Sequence, residues 1–353
     1  MKMLQGYIGR TVLLAIFGVT AALVMLDFVF SLLAEIEDLR GNYQFMQALQ
    51  FMLLTLPRRL YQMIPTGTLL GCLVALGALA NNSELVVMRA AGVSLLQILW
   101  AALRPVLLVA VGGLLIGEYL APYTEQIAQS ARAVAMGSGK ALHARSGVWH
   151  KEGSEYIHVN AVEPGGRLFG VTRLRFDEDG RLQQASQART AVFQSDHWSM
   201  EDVEVTELGQ REARISRFDT LAWYTSLDPK LLALLTLDPD DLSITGLWQY
   251  ANYLGEQGLD AEPYFLAFWT KILQPLMMCA MVFIAISYVF GPLRQVTMGL
   301  RVLAGILTGL VLRYFGELAG TMSLVYEFSP LLAATLPLVL GMTIGLWALR
   351  RSG

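Results

Sequence analysis

The residues that could do chemistry in this 353-residue chain fall into a few groups. MGSGKA, Met136–Ala141, carries the Gly-Lys pair of a phosphate-binding loop, in which backbone N–H groups and the lysine would cradle a nucleotide. That loop needs a glycine five positions before the pair and Ser or Thr after it, and Val134 and Ala141 stand there instead. The stretch reads as an exit from an apolar run. His143, His150, His158 and His197 invite a metal, but their spacing fits no zinc pattern and no cysteine or close carboxylate pair accompanies them. They read as surface or sheet-edge histidines. No serine lies in a G-x-S-x-G context. The expectation is a chain that is not an enzyme, with no catalytic residue and no cofactor or metal of its own.

Charges inside apolar runs carry more information, because charge is costly in hydrocarbon and faces a cavity or a partner. Asp27, Glu118, Lys271, Arg313 and Glu317 lie in or near such runs. Arg313 and Glu317 are four apart and can pair on one helix face, either as a structural ion pair or with Arg313 lining a polar cavity. Arg58, Arg59 and Arg132 fall near one membrane surface, where they could hold an anionic headgroup or simply snorkel. Only five of the 26 basic residues are lysines, and the planar fork of arginine suits bidentate contact with phosphate.

The elements that must position these residues are mostly membrane spans. The chain is 54% hydrophobic and 16% charged, and its net charge of −3 argues against a nucleic-acid partner. Six runs approach the roughly 20 apolar residues needed to cross about 30 Å of hydrocarbon. They are Thr11–Leu33, Leu60–Ala80, Leu96–Leu120, Tyr264–Phe290, Leu300–Ala319 and Pro330–Leu349. The first is too long for a signal peptide and lacks a cleavage site, so it reads as a retained span. Tyr43–Leu56 is shorter and amphipathic, either an interfacial helix or an extension of the second span broken at Pro57 and Pro65. Cys72 and Cys279 lie within apolar runs and read as small core residues. With six spans, Lys2, Arg10, Arg89, Arg104, Arg294, Arg301, Arg350 and Arg351 share one side, which the positive-inside rule makes cytoplasmic along with both termini.

Between the third and fourth spans, residues 131–262 are a different kind of chain. Short alternating runs such as LFGVTRLRF, HWSMEDVEV and REARISRF recur between turn pairs such as Pro164-Gly165 and Asp179-Gly180. This pattern predicts an antiparallel sandwich or jelly roll outside the cytoplasmic membrane. DPDDLSITGLWQYANYLGEQG then predicts a capped amphipathic helix leading back to the membrane. The expected fold is an α-helical membrane protein of six spans with an inserted all-β domain. Residues 1–130 carry spans one to three and residues 263–353 spans four to six.

The loop between spans two and three, NNSELVVMRAAG (Asn81–Gly92), is more structured than a connection requires. Asn81 can cap a helix whose third helical position is Glu84, a variant of the capping box, and Gly92 suits the position after its end. Glu84 sits where the helix dipole favours an acid. Leu85, Val86, Val87, Met88, Ala90 and Ala91 make the helix apolar almost all round, so it would not stand alone in water. It must press on the bilayer, on its own spans, or into a groove of another protein.

The run LGALANNSELVVMRAAGVS resembles the signature of the LptF/LptG permease family, and GEYLAP (Gly117–Pro122), LDPDDLSI (Leu237–Ile244), KILQP (Lys271–Pro275) and YVFGPLRQVTMGLR (Tyr288–Arg301) follow in the family's order. SELVVM and LDPDDLSI are closer to the G-type than to the F-type subunit. The resemblance implies a permease subunit of an ABC transporter that extracts lipopolysaccharide from the inner membrane, with a periplasmic jelly roll. It implies an F-type partner, two copies of a cytoplasmic ATPase that uses the ATP, a periplasmic bridge protein and that bridge's membrane-anchored relative. Residues 83–92 become the coupling helix, with Ser83, Glu84, Leu85, Val87, Met88, Arg89 and Gly92 at the ATPase contact. Arg132 becomes the first expected lipid-phosphate contact, with Arg40, Arg58, Arg59 and Arg313 as further candidates. Similar G-type subunits carry lysines at the outer end of the first span, where this chain has Asp27, Glu35, Glu37 and Asp38 and only Arg40 basic. The phosphate site is then displaced to these arginines, bridged by divalent cations, or carried mostly by the partner subunit. Two other classes stay open on the residues alone: an ion-coupled secondary transporter using Asp27, Arg313 and Glu317, and a membrane scaffold or sensor with a ligand-binding outer domain.

Overall fold

The computed structural model describes residues 2–39, 43–137, 148–163, 166–177, 179–209, 213–225, 238–256, 260–290 and 297–352. They form two compact units. The first comprises Met1–Val29, Leu56–Ala121 and Ser243–Gly353, the second Phe30–Thr55 and Pro122–Leu242. Among the described residues six helical runs are long and apolar enough to cross a membrane, as the hydropathy predicts.

In the first unit the apolar helices are α1 (Lys2–Glu37, shared with the second unit), α3 (Leu56–Asn81), α5 (Leu95–Leu115), α8 (Glu262–Phe290), α9 (Met298–Tyr326) and α10 (Pro330–Ser352). Helix α8 is the hub, packing on α3, α5 and α10. Leu69, Leu73 and Leu76 of α3, Ile98 and Val106 of α5 and Val282 and Ile286 of α8 share one buried cluster. Water is not what drives spans together in lipid, so close packing at small residues must do it. A Cβ on Gly71 would stand 2.6 Å from the Ile16 backbone, which shows how tightly α1 lies on α3.

The second unit holds α2 (Phe45–Leu54), α6 (Ala121–Gly137, from Pro122 onward) and a six-stranded sheet. Of the two readings of the Tyr43–Leu56 segment, a separate short helix is the observed one. Its break from α3 falls at Thr55, not at the prolines. Pro57 is the second residue of α3, where a missing N–H leaves no bond unmade, and Pro65 sits inside α3 without ending it.

The strands are β1 (Val148–Glu152), β2 (Glu155–Glu163), β3 (Arg167–Phe176), β4 (Leu182–Gln194), β5 (His197–Leu208) and β6 (Ala213–Trp223). All neighbours pair antiparallel in chain order, an up-and-down meander that agrees with the antiparallel expectation. Alternate residues fill its apolar face, with Ile157, Leu168, Ala191, Trp198 and Trp223 fully buried. The sheet is strongly coiled. The Arg173 guanidinium of β3 lies 5.3 Å from the Trp223 ring centre at the end of β6, and Thr225 just beyond β6 hydrogen-bonds Glu152 of β1. After the sheet, a 3₁₀ turn (Pro239–Asp241) leads to the amphipathic α7 (Ile244–Glu256) in the first unit, as the sequence predicts. MGSGKA lies outside the described residues beyond Gly137, as does His143.

Candidate functional site

The loop between spans two and three folds into α4 (Glu84–Ala90), and its residues divide by face. Leu85 and Met88, one turn apart, are 1% and 7% exposed and join the buried cluster of the spans. Val86 and Val87 on the other side are each 65% exposed, and Arg89 is exposed with them. The helix is therefore anchored in its own spans while presenting a mixed apolar and basic face. Its start differs from the capping expectation. Asn81 is the last residue of α3, and Ser83 precedes α4 in the left-handed region at φ 61° with no side-chain cap. Helix α3 takes in Asn81 as its last residue, leaving Asn82 and Ser83 to reverse the chain, with Ser83 in the left-handed region. Asn82 Nδ2 donates to Glu84 Oε1 at 3.4 Å, and the Tyr7 phenol also faces that carboxylate. The end follows expectation. Gly92 has φ 89°, its N–H reaches the Arg89 carbonyl and the Val93 N–H reaches that of Met88, a Schellman closure.

Three of the basic candidates, Arg132, Arg59 and Arg313, each meet an acid. In the second unit Arg132 donates Nε–H to Glu35 at 2.7 Å and Nη2–H to Asp38 at 3.0 Å. Its guanidinium lies 5.2 Å from the Phe51 ring centre and 5.9 Å from that of Tyr43, whose hydroxyl donates to the same Glu35 oxygen at 2.7 Å. Burial, and then the Glu35 carboxylate, push the Tyr43 phenol well above its ordinary range, so it stays a donor. Of the four acids Asp27, Glu35, Glu37 and Asp38, two, Glu35 and Asp38, are thus partners of Arg132. In the first unit Arg59 donates to Asp27 at 2.6 Å, and both are partly buried. Arg58 is half-buried beside it. Arg313 pairs with Glu317 at 2.9 Å on an exposed face of α9, the i,i+4 pair the spacing predicts. Asp27 and Arg313 therefore each have a partner of their own. Arg40 lies outside the described residues.

Sequence reasoning missed three contacts. Tyr43 and Phe51 around Arg132 belong to a segment read only for its apolarity, and Glu35 and Asp38, three apart on one helix face, were its only hint. The third is Glu118, which accepts hydrogen bonds from the start of α7, 126 residues away. In the β domain, His150 and His158 are buried, and burial lowers the pKa of each below its ordinary value. His197 contacts Asp196 at 2.7 Å. Among the described residues no His, Cys, Asp and Glu gather into a metal-binding group.

Residues 6–351 match the family described as lipopolysaccharide export system permease LptF/LptG. The chain is 36% identical over 352 residues to the lipopolysaccharide export system permease protein LptG of Escherichia coli (strain K12), covering 99% of this chain and 98% of that protein. It is 34% identical over 351 residues to the protein of the same description from Haemophilus influenzae, again covering 99% and 98%.

Proposed function

The chain belongs to the LptF/LptG family of lipopolysaccharide export permeases, and from that premise we propose that it is the G-type permease subunit of an ATP-driven exporter of lipopolysaccharide. In this reading it sits in the inner membrane with both termini and α4 cytoplasmic and residues 131–262 periplasmic. An F-type subunit completes the cavity, two copies of a cytoplasmic ATPase dock below, and a periplasmic bridge protein with its membrane-anchored relative receives the lipid. The chain itself binds no cofactor and uses no ATP.

The observation that carries the coupling role is the division of α4. A helix whose Leu85 and Met88 are sunk among the spans cannot shift without moving them. Its exposed Val86, Val87 and Arg89 offer an apolar, partly charged ridge of the kind a partner's groove takes up. ATP-driven closure of the partner dimer pushes this ridge, and the push passes through Leu85 and Met88 into α3 and α5. The cavity narrows and the lipid leaves toward the β domain.

Lipid phosphates entering from the outer leaflet compete with Asp38 for Arg132. Asp38 is 56% exposed and is the weaker-held of the two acids, so it yields first. Arg40, Arg58, Arg59 and Arg313 are the remaining candidates for headgroup contact. Glu84→Ala in the assembled complex tests the coupling reading. ATPase association and lipid export should both fall, and wild-type values of both would remove Glu84 from the coupling contact.

A further inference from the structure

The third span does not end as an ordinary helix. Between α5 and α6 the residues Ile116–Leu120 form a π-helical turn, closed by the Ala121 N–H on the Ile116 carbonyl. Pro122 explains it, since a proline has no N–H to give the Glu118 carbonyl and its ring crowds that oxygen. Such single turns widen a helix and turn one side chain outward. Gly117 lets the turn lie against α3, where a Cβ would stand 2.6 Å from the Tyr61 ring. Glu118 lies within this turn and is half-buried. Its Oε2 accepts the Ile244 N–H at 2.7 Å, and its Oε1 accepts the Thr245 N–H at 3.3 Å and the Thr245 hydroxyl at 2.6 Å. Ser243 Oγ accepts the Gly246 N–H at 3.0 Å, so the first three amides of α7 are all satisfied, two of them by another helix.

These are two of the four places where the chain passes from one unit to the other: it leaves the first unit after Ala121 and re-enters it at Ser243. We infer that Glu118 is a positioning residue that, inside the first unit, clasps the end of the third span to the start of α7, the helix that leads back to the fourth span. A carboxylate suits the task because two oxygens can serve two adjacent amides, and the positive end of α7 favours its charge. Helix α7 is itself held to α8 by Trp248 against Phe268 and Tyr250 against Tyr264, so motion of the fourth span reaches the clasp directly. The clasp couples motion of the fourth span to the end of the third, a step that rests on the export reading above.

The test uses the full complex in lipid with Glu118→Ala, Glu118→Gln and Thr245→Val. In Glu118→Ala the amides of residues 244–247 should exchange at least about tenfold faster, while those inside α8 keep their protection. Lipid released per ATP hydrolysed should fall severalfold with hydrolysis itself retained. Glu118→Gln, which keeps one acceptor oxygen, and Thr245→Val, which keeps both amides, should fall between. Unchanged exchange at residues 244–247 in Glu118→Ala would overturn the clasp. So would loss of lipid release in strict proportion to hydrolysis and melting temperature, which marks a purely structural residue. A wild-type complex that hydrolyses ATP yet releases no lipid would defeat the export reading, and the exchange measurement would still decide the clasp.

Discussion

Arg132 and Glu35 meet at 2.7 Å across 97 residues of sequence, with Tyr43 hydrogen-bonded to the same carboxylate oxygen. A guanidinium bound by two acids and flanked by two aromatic rings is aligned in advance but partly neutralised. Asp38, the more exposed acid, is the one a phosphate can displace at small cost. Asp38→Asn should therefore strengthen lipid capture, by roughly two- to tenfold at low salt. Arg132→Glu should weaken it. Photo-crosslinking of lipid from position 132's neighbourhood measures both, and weaker capture in Asp38→Asn would show that the acid assists the lipid instead of competing with it.

Asp27 and Arg59 tie α1 to α3 within the apolar segment, both partly buried. Removing one leaves a charge in a poor solvent, whereas removing both leaves only a packing change. Arg59→Met should lower stability by about 1–3 kcal/mol, less than for a fully buried pair. Asp27→Leu combined with Arg59→Met should recover most of that loss. Thermal unfolding of the purified chain in detergent gives the comparison. Equal losses in the single and double variants would mean that packing, not charge, dominates here.

The spans, the antiparallel domain and the returning helix were legible in sequence because each rests on a local period: about 20 apolar residues, alternation by two, or a cap before an amphipathic run. What was not legible depends on distant partners. The acids at the outer end of α1 looked like a departure until Arg132 was found between them, and Glu118 looked like an isolated charge until Ile244 and Thr245 were found against it. The cap of α4 was misread too. Propensity favours Asn81 as a cap, but α3 takes it in as its last residue.

Burial holds His150 and His158 below their ordinary pKa, so both are neutral in the folded β domain at neutral pH. The unfolded chain binds their protons below about pH 6.5 and the folded domain does not, so stability present above that value is lost as pH falls through it. Glu155 continues the trend at lower pH. Its burial would raise the carboxyl, but hydrogen bonds from Arg173 and Arg175 hold it below the ordinary range, and that contribution disappears as it protonates. Protection factors of amides across β2 and β5, with the intrinsic pH dependence of exchange divided out, should fall from pH 7 to pH 5, and His158→Gln should flatten the upper part of that slope. A pH-independent profile would contradict the assignment.

Gly71 allows α1 to lie on α3 backbone against side-chain-free backbone. An alanine Cβ there would stand 2.6 Å from the Ile16 Cα, an atom that cannot rotate away. Gly71→Ala should cost about 1–3 kcal/mol by overpacking. Gly112→Ala, which meets nothing within 4 Å, should stay near wild type. The paired melting temperatures check this, and equal values would show that α1 is free to move off α3.

The two faces of α4 separate anchoring from docking. Leu85 is 1% exposed inside the span cluster, so Leu85→Ala leaves a cavity and should cost about 2–5 kcal/mol in the chain alone. Val87 is 65% exposed, so Val87→Asp should change the chain's own stability by no more than about 0.5 kcal/mol. In the complex the order should reverse. A buried aspartate in an apolar groove is unpaired and costly, so Val87→Asp should release the ATPase where Leu85→Ala largely retains it. Co-purification of the ATPase with each variant, read beside the melting temperature of the chain alone, gives four values that only a two-faced helix explains. Retention of the ATPase by Val87→Asp would place the docking contact elsewhere on the chain.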